Sequence, residues 1–123
     1  MAGTSPRVVI TGVGVVSPVG IGNDAFWQNL SSGNSGIDFL EAFVRSDLPC
    51  KFAAEVQDFD AMGYLRQRKM LKVMSRDIQL GVSSANFAME DAGLNRGDFD
   101  PDRLGVEFGA GRISSPPEGL PQA

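Results

Sequence analysis

A β-branched apolar run closed by spaced glycines, Arg7-Val-Val-Ile-Thr-Gly-Val-Gly-Val-Val-Ser-Pro-Val-Gly20, restricts what this chain can fold into. Val8, Val9, Ile10, Val13, Val15 and Val16 place apolar side chains on both faces of an extended segment. That pattern belongs to a strand covered on both sides. The run predicts a strand over 7–16, and Ser17-Pro-Val-Gly-Ile-Gly22 predicts a loop. A strand buried on both faces needs strand neighbours and helix layers, which places the chain in the α/β class.

The rest of the chain continues that alternation. Asn23 or Asp24 is positioned to cap a helix through Phe26, Trp27 and Leu30, and Gly33 to end it as its C′ residue. Residues 34–60 are less regular, with Ile37, Phe39, Leu40 and Phe43 as apolar anchors and Phe52-Ala-Ala-Glu-Val56 as a short strand. Asp58 and Asp60 can cap a helical turn through Met62 to Leu65. Leu71, Met74, Ile78, Val82, Ala85, Met89 and Ala92 step by three or four, predicting one helix over about 70–92. Gly81, Ser83, Ser84, Ala85 and Ala88 leave a small-residue surface on it that another element can approach closely. Gly93 followed by Leu94 reads as its glycine cap. Asp100-Pro-Asp-Arg predicts a turn, and Leu104-Gly-Val-Glu-Phe108 a second buried strand ending at Gly109-Ala-Gly111. Two firm strands and a third short one make a thin sheet, so the chain reads as part of a larger fold. The boundaries are a domain over 1–113 and a Pro-rich loop or disordered tail over 114–123.

Composition excludes several function classes. The net charge of −4 over 123 residues opposes general nucleic-acid binding, which needs a basic surface. No apolar run is long enough to span a bilayer, and the N-terminus lacks a signal-peptide layout. The single cysteine, Cys50, rules out an internal disulfide. The expectation is a soluble cytoplasmic protein that touches neither membrane nor nucleic acid.

Gly12-Val-Gly-Val-Val-Ser17 has the first two glycines of a dinucleotide fingerprint. The helix that should receive the pyrophosphate starts only near residue 24, after Pro18, Gly20 and Gly22. The residues therefore favour a structural glycine turn over a nucleotide cradle. Cys50 has Lys51 beside it, but a nucleophile needs an oriented base and the chain holds no histidine. Glu90-Asp91 and Asp98, Asp100 and Asp102 read as helix-end and turn residues, because the latter lack the spacing and closing glutamate of a calcium loop. No cofactor or metal site is expected. Arg66, Arg68, Lys69, Lys72 and Arg76 form the one basic cluster. By residue type alone it is either a solvated helix surface or a docking patch for an acidic partner.

Three segments in order resemble the N-terminal part of a β-ketoacyl-acyl-carrier-protein synthase, a condensing enzyme of the thiolase-like superfamily. They are Arg7 to Gly20, the helix Met74-Ser-Arg-Asp-Ile-Gln-Leu-Gly81 through Ala88-Met-Glu-Asp-Ala-Gly-Leu94, and Arg103-Leu-Gly-Val-Glu-Phe-Gly-Ala-Gly111. Leu30-Ser-Ser-Gly-Asn-Ser-Gly-Ile37 matches the family's helix-to-loop passage. The resemblance implies an incomplete thiolase-like (αβαβα) fold: the first part of the N-terminal half, with a mixed sheet covered by helices. It implies a decarboxylating Claisen condensation of an acyl thioester with a malonyl-carrier thioester, in fatty-acid or polyketide synthesis. It also implies that the family's cysteine nucleophile and two histidines lie outside this chain, so no catalytic residue is assigned and the chain is expected to be inert alone. Arg68, Lys69 and Lys72 match positions that dock the acyl carrier protein. Gly111, Arg112 and Ile113 match the border of the acyl pocket. The alternative is a non-catalytic module that binds the carrier or pairs with the remaining part of a synthase, or with itself.

Overall fold

The computed structural model describes residues 6–41, 47, 49–65, 68–95, 97–109 and 111. The elements run β1 (Val16–Ser17), β2 (Gly20–Ile21), α1 (Asn23–Ser31), β3 (Ile37–Phe39), β4 (Phe52–Ala54), α2 (Ala61–Tyr64), α3 (Arg68–Leu71), α4 (Arg76–Asp91) and a 3-10 turn at Pro101–Arg103. β1 and β2 pair antiparallel around Pro18-Val19, with Ser17 opposite Gly20. β3 and β4 pair antiparallel, with Ile37 opposite Ala54 and Phe39 opposite Phe52. The expected Phe43, Arg66, Arg112, Ile113 and the tail over 114–123 lie outside the described residues.

α4 organises the fold, and the apolar run over 7–16 explains how. Its glycines cross the small-residue face of α4 at backbone contact. A methyl group on Gly14 would strike the Ser84 carbonyl oxygen and lie 2.5 Å from the Ala88 nitrogen; one on Gly12 would strike the Ala88 oxygen and lie 2.7 Å from the Ala92 side chain. Two hydrogen bonds hold the crossing on α4 and a third ties the segment to α1. The Ser84 hydroxyl donates to the Gly14 carbonyl at 2.6 Å, Val13 N–H donates to Asp91 Oδ2 at 2.9 Å, and Asn23 Nδ2 donates to the Val13 carbonyl at 2.8 Å. Further along the same helix face, the Phe108 ring lies over Gly81. Both extended segments therefore meet α4 where side chains are smallest.

The strand boundaries differ from the sequence expectation. Of the 7–16 run only Val16 pairs in a ladder, joined by Ser17 from the expected loop, and 104–108 is extended without ladder partners among the described residues. The reason is the absence of neighbouring strands: Val8, Ile10 and Val106 are 94%, 86% and 78% exposed. The mixed sheet is thus represented by two extended segments on one helix, beside two short antiparallel ribbons.

The loop over 17–22 closes as the β1–β2 hairpin because the Ser17 hydroxyl accepts from Val19 and Gly20 N–H at 3.3 Å. The α1 cap is corrected too. Gly22 is the cap residue, while Asn23 sits inside the first turn and spends its side chain on Val13. Gly33 and Gly93 follow the expected reading, each with positive φ (74° and 66°). At both ends the C′ and C″ N–H groups return to the last turn: Gly33 to Leu30 and Asn34 to Asn29, Gly93 to Glu90 and Leu94 to Met89. This double bond pattern closes a helix only through a left-handed residue.

The helix expected over 70–92 is two helices. Ser75 caps α4, its hydroxyl accepting from Ile78 N–H at 3.5 Å. Gln79 Nε2 donates to the Leu71 and Met74 carbonyls, at 3.5 and 3.0 Å. Those carbonyls close α3 instead of continuing it. Among the described residues the buried apolar side chains are Ala61 and Leu65, with Ser83 fully enclosed on α4. No helix of the described residues is long and apolar enough to cross a membrane.

Candidate functional site

The basic cluster lies on α3 and the turn that follows it. Asp60 starts the local structure by accepting from Met62 N–H at 2.9 Å, which sets α2. Asp58, the other expected cap, instead takes a left-handed backbone with φ 54°. α2 is tied to α4 by Asn86, whose Nδ2 donates to the Tyr64 carbonyl at 3.2 Å. α3 follows, and Val73 N–H and Met74 N–H donate back to the Met70 and Leu71 carbonyls at 3.1 and 3.3 Å. α3 is one short turn, and the chain after it turns again before α4. This stretch places Lys69 and Lys72 in solvent, with Arg68 opening α3.

A cavity of about 520 Å³ lies against α4, and its walls include Leu65 after α2, Met74 before α4, and Val82 and Met89 on α4. Tyr64, Asn86, Glu90 and Asn95 add polar groups to the same lining. Val73, immediately after Lys72, is itself exposed. Lys69, Lys72 and Val73 together expose two cations beside apolar contact area, which suits an acidic, partly apolar protein surface.

Arg76 does not join Lys69 and Lys72 as a free cation. Its Nη2 donates to the Val56 carbonyl at 2.6 Å, and its guanidinium carbon lies 5.8 Å from the centre of the Phe59 ring. Sequence reasoning placed it in the cluster by spacing alone. One signal was available: Arg76 opens α4, where a positive charge opposes the helix dipole and needs compensation elsewhere. Gln79 and Asn86 were also missed. Both are side-chain amides on a helix face turned toward carbonyls that the α2–α3 segment leaves open.

Of the acyl-pocket residues only Gly111 is described; it lies in a bend with open space around its α-carbon. The structure does not bring it to the basic segment. Cys50 is exposed, and its Sγ donates to the Phe52 carbonyl at 3.3 Å. The acidic groups act as turn and tie residues. Asp98 Oδ2 accepts from Asn95 N–H at 2.7 Å, Asp100 Oδ1 accepts from Asp102 N–H at 3.0 Å, and Asp91 holds Val13.

Comparison with known proteins gives this arrangement its context. Residues 5–117 match the family model described as the β-ketoacyl synthase, N-terminal domain. The 3-oxoacyl-[acyl-carrier-protein] synthase 2 of Synechocystis sp. is 39% identical over 105 residues, covering 85% of this chain and 25% of that protein. The enzyme of the same name from Coxiella burnetii is 41% identical over 105 residues, with the same coverage. The tetracenomycin polyketide synthase ketoacyl synthase beta subunit of Streptomyces glaucescens is 38% identical over 104 residues, covering 85% of this chain and 25% of that subunit. Among solved structures, the ishigamide ketosynthase/chain length factor superposes with a TM-score of 0.64 and 33% identity, over 71% of this chain and 21% of that one. The chain spans about a quarter of the length of the curated relatives it matches. With a matching family model over most of its length and an α/β fold of the thiolase-like class, the chain belongs to the β-ketoacyl synthase N-terminal domain family.

Proposed function

We propose that this chain provides the opening scaffold and a carrier-docking face of a β-ketoacyl-acyl-carrier-protein synthase, and that it does not catalyse condensation alone. The observation that carries the reading is the exposed pair Lys69 and Lys72 on and just after the short helix α3, in a chain whose relatives are named for an acyl-carrier-protein substrate. Arg68, at the start of α3, completes the proposed docking set. Exposed cations of this kind speed and orient the encounter with an acidic protein.

The condensation needs a cysteine thiolate to take the acyl group from its carrier thioester. A malonyl thioester then loses carbon dioxide, and the resulting carbanion attacks the acyl-enzyme. Oxyanion stabilisation and decarboxylation fall to histidines in the proposed parent reaction. This chain has no histidine. Its one cysteine is exposed and donates to the Phe52 backbone carbonyl. What the chain's residues do is position: α4 holds the two extended segments, and the α3 turn presents the lysines. Gly111, with Arg112 and Ile113, is assigned to the border of the acyl pocket in the same reading.

A second reading is a non-catalytic module that pairs with another polypeptide. Its support is the exposure of Val8, Ile10 and Val106, which are apolar residues in extended backbone without ladder partners among the described residues. Two measurements test the proposal. Incubated with acyl-carrier and malonyl-carrier thioesters, the chain should release no carbon dioxide above blank; turnover would overturn the scaffold reading. Fluorescence anisotropy should show saturable, salt-sensitive binding of acyl carrier protein. Lys69→Glu with Lys72→Glu should weaken it about tenfold, the sum expected of two exposed pairs at about 0.7 kcal/mol each. Binding indifferent to salt and to both changes removes the docking face.

A further inference from the structure

We infer that Arg76 is a positioning residue for the basic turn, acting through an aromatic clamp and making no contact with the carrier itself. The inference rests on the docking reading above. The clamp is a continuous chain of contacts. Arg76 lies over Phe59 and donates to Val56; Phe59 stacks on Tyr64 at 5.7 Å with an interplanar angle of 11°. Tyr64 meets Phe87 edge-on, at 5.3 Å and 69°. Asn86, beside Phe87, binds the Tyr64 carbonyl.

Arg76 and Phe87 both belong to α4, and at about 1.5 Å of rise per residue they sit roughly 16 Å apart along its axis. The segment over 56–64 is therefore pinned to one helix at two separated points. The chain that carries Lys69 and Lys72 leaves at the pinned Tyr64 and returns at the pinned Arg76. Its two ends are fixed relative to each other, so the lysines are presented from a closed frame. A guanidinium suits this place because its plane can lie over a ring while an edge N–H reaches a carbonyl; an ammonium is a point charge without that shape. Arg76 is exposed, yet its guanidinium is engaged by Val56 and Phe59, whereas Lys69 and Lys72 are the cations presented from the turn.

The test uses the full chain, with labelled holo acyl carrier protein as probe. Three variants are compared: Arg76→Gln, Phe59→Leu, which leaves every charge in place, and Phe59→Tyr, which keeps the ring. Trypsin cleavage after Lys69 and Lys72 should rise about tenfold in Arg76→Gln and Phe59→Leu, the change expected when a charge-assisted bond or a ring contact is lost. It should stay at the wild-type rate in Phe59→Tyr, with helical circular dichroism unchanged throughout. Carrier affinity should fall in the first two while the slope of affinity against salt stays as in wild type. Lys72→Gln should flatten that slope, as loss of a direct charge contact does. Unchanged cleavage in both Arg76→Gln and Phe59→Leu overturns the clamp. A flattened slope in Arg76→Gln overturns the positioning role by making Arg76 a contact residue. If wild type binds no carrier, the docking reading fails; raised cleavage would then still establish the clamp.

Discussion

Gly14 and Gly81 both lie on the contact between α4 and an extended segment, yet they should respond to alanine in opposite ways. At Gly14 the added methyl meets backbone atoms of Ser84 and Ala88, which can move only with the helix. Overpacking of that kind costs about 1–3 kcal/mol. At Gly81 the methyl meets the far end of the exposed Phe108 ring, which can swing aside. Alanine in a helix interior gains about 1 kcal/mol over glycine, which offsets the displacement. Urea unfolding followed by circular dichroism should show Gly14→Ala lowering stability by about 1–3 kcal/mol. Gly81→Ala should lie within about 0.5 kcal/mol of wild type. Equal losses would mean that Phe108 is held as firmly as backbone. The small-residue surface of α4 was legible in the sequence as a place for close approach. Which segment arrives there was not, because the partners of Ser84 and Asp91 are 70 and 78 residues away.

Helices were read more faithfully than strands, and the reason is range. α1, α2 and the end of α4 are set by caps within a few residues: Asp60 on Met62, Gly33 on Leu30, Gly93 on Glu90. Such signals are local and survive in the sequence. β4 was anticipated as a short strand, but its partner β3 was read only as apolar anchors, since pairing Phe39 with Phe52 is not a local property. The break between α3 and α4 escaped periodicity because Leu71, Met74 and Ile78 keep helical spacing across it. The interruption comes from the Ser75 cap and from Gln79 reaching back to two carbonyls. Lys69 and Lys72 were legible as charge, whereas the contacts of Arg76 with Val56 and Phe59 were not, since those partners lie before α2. The closing glycine carries an element-scale prediction. Gly93→Ala forces a side chain into left-handed backbone and should cost about 1–2 kcal/mol. Hydrogen exchange at Gly93 and Leu94 would register it as faster opening of the α4 end. A mutant end as protected as wild type would show that the cap bonds do not hold it.

For the whole molecule, apolar surface outweighs enclosure. Among the described residues two apolar side chains are buried, while Val8, Ile10, Phe39 and Val106 are open to solvent. Extended apolar segments with free backbone groups invite pairing with another chain. Sedimentation of the 123-residue chain should therefore show mass rising with concentration. Ile10→Lys with Val106→Lys should return it toward the monomer while the helical signal remains. A wild-type chain that stays monomeric at high concentration would argue against exposed strands as the associating surface. The crossing of the first segment over α4 also has a consequence in time. Val13 binds Asp91, 78 residues later. At about 5–20 residues per second of synthesis, the first segment leaves the ribosome roughly 4–16 s before the helix that will hold it. For that interval the segment lacks the helix that Gly12 and Gly14 pack against, and Val8, Val9 and Ile10 stay exposed even afterwards, which makes the opening strand a natural client for chaperones that shield apolar segments during translation.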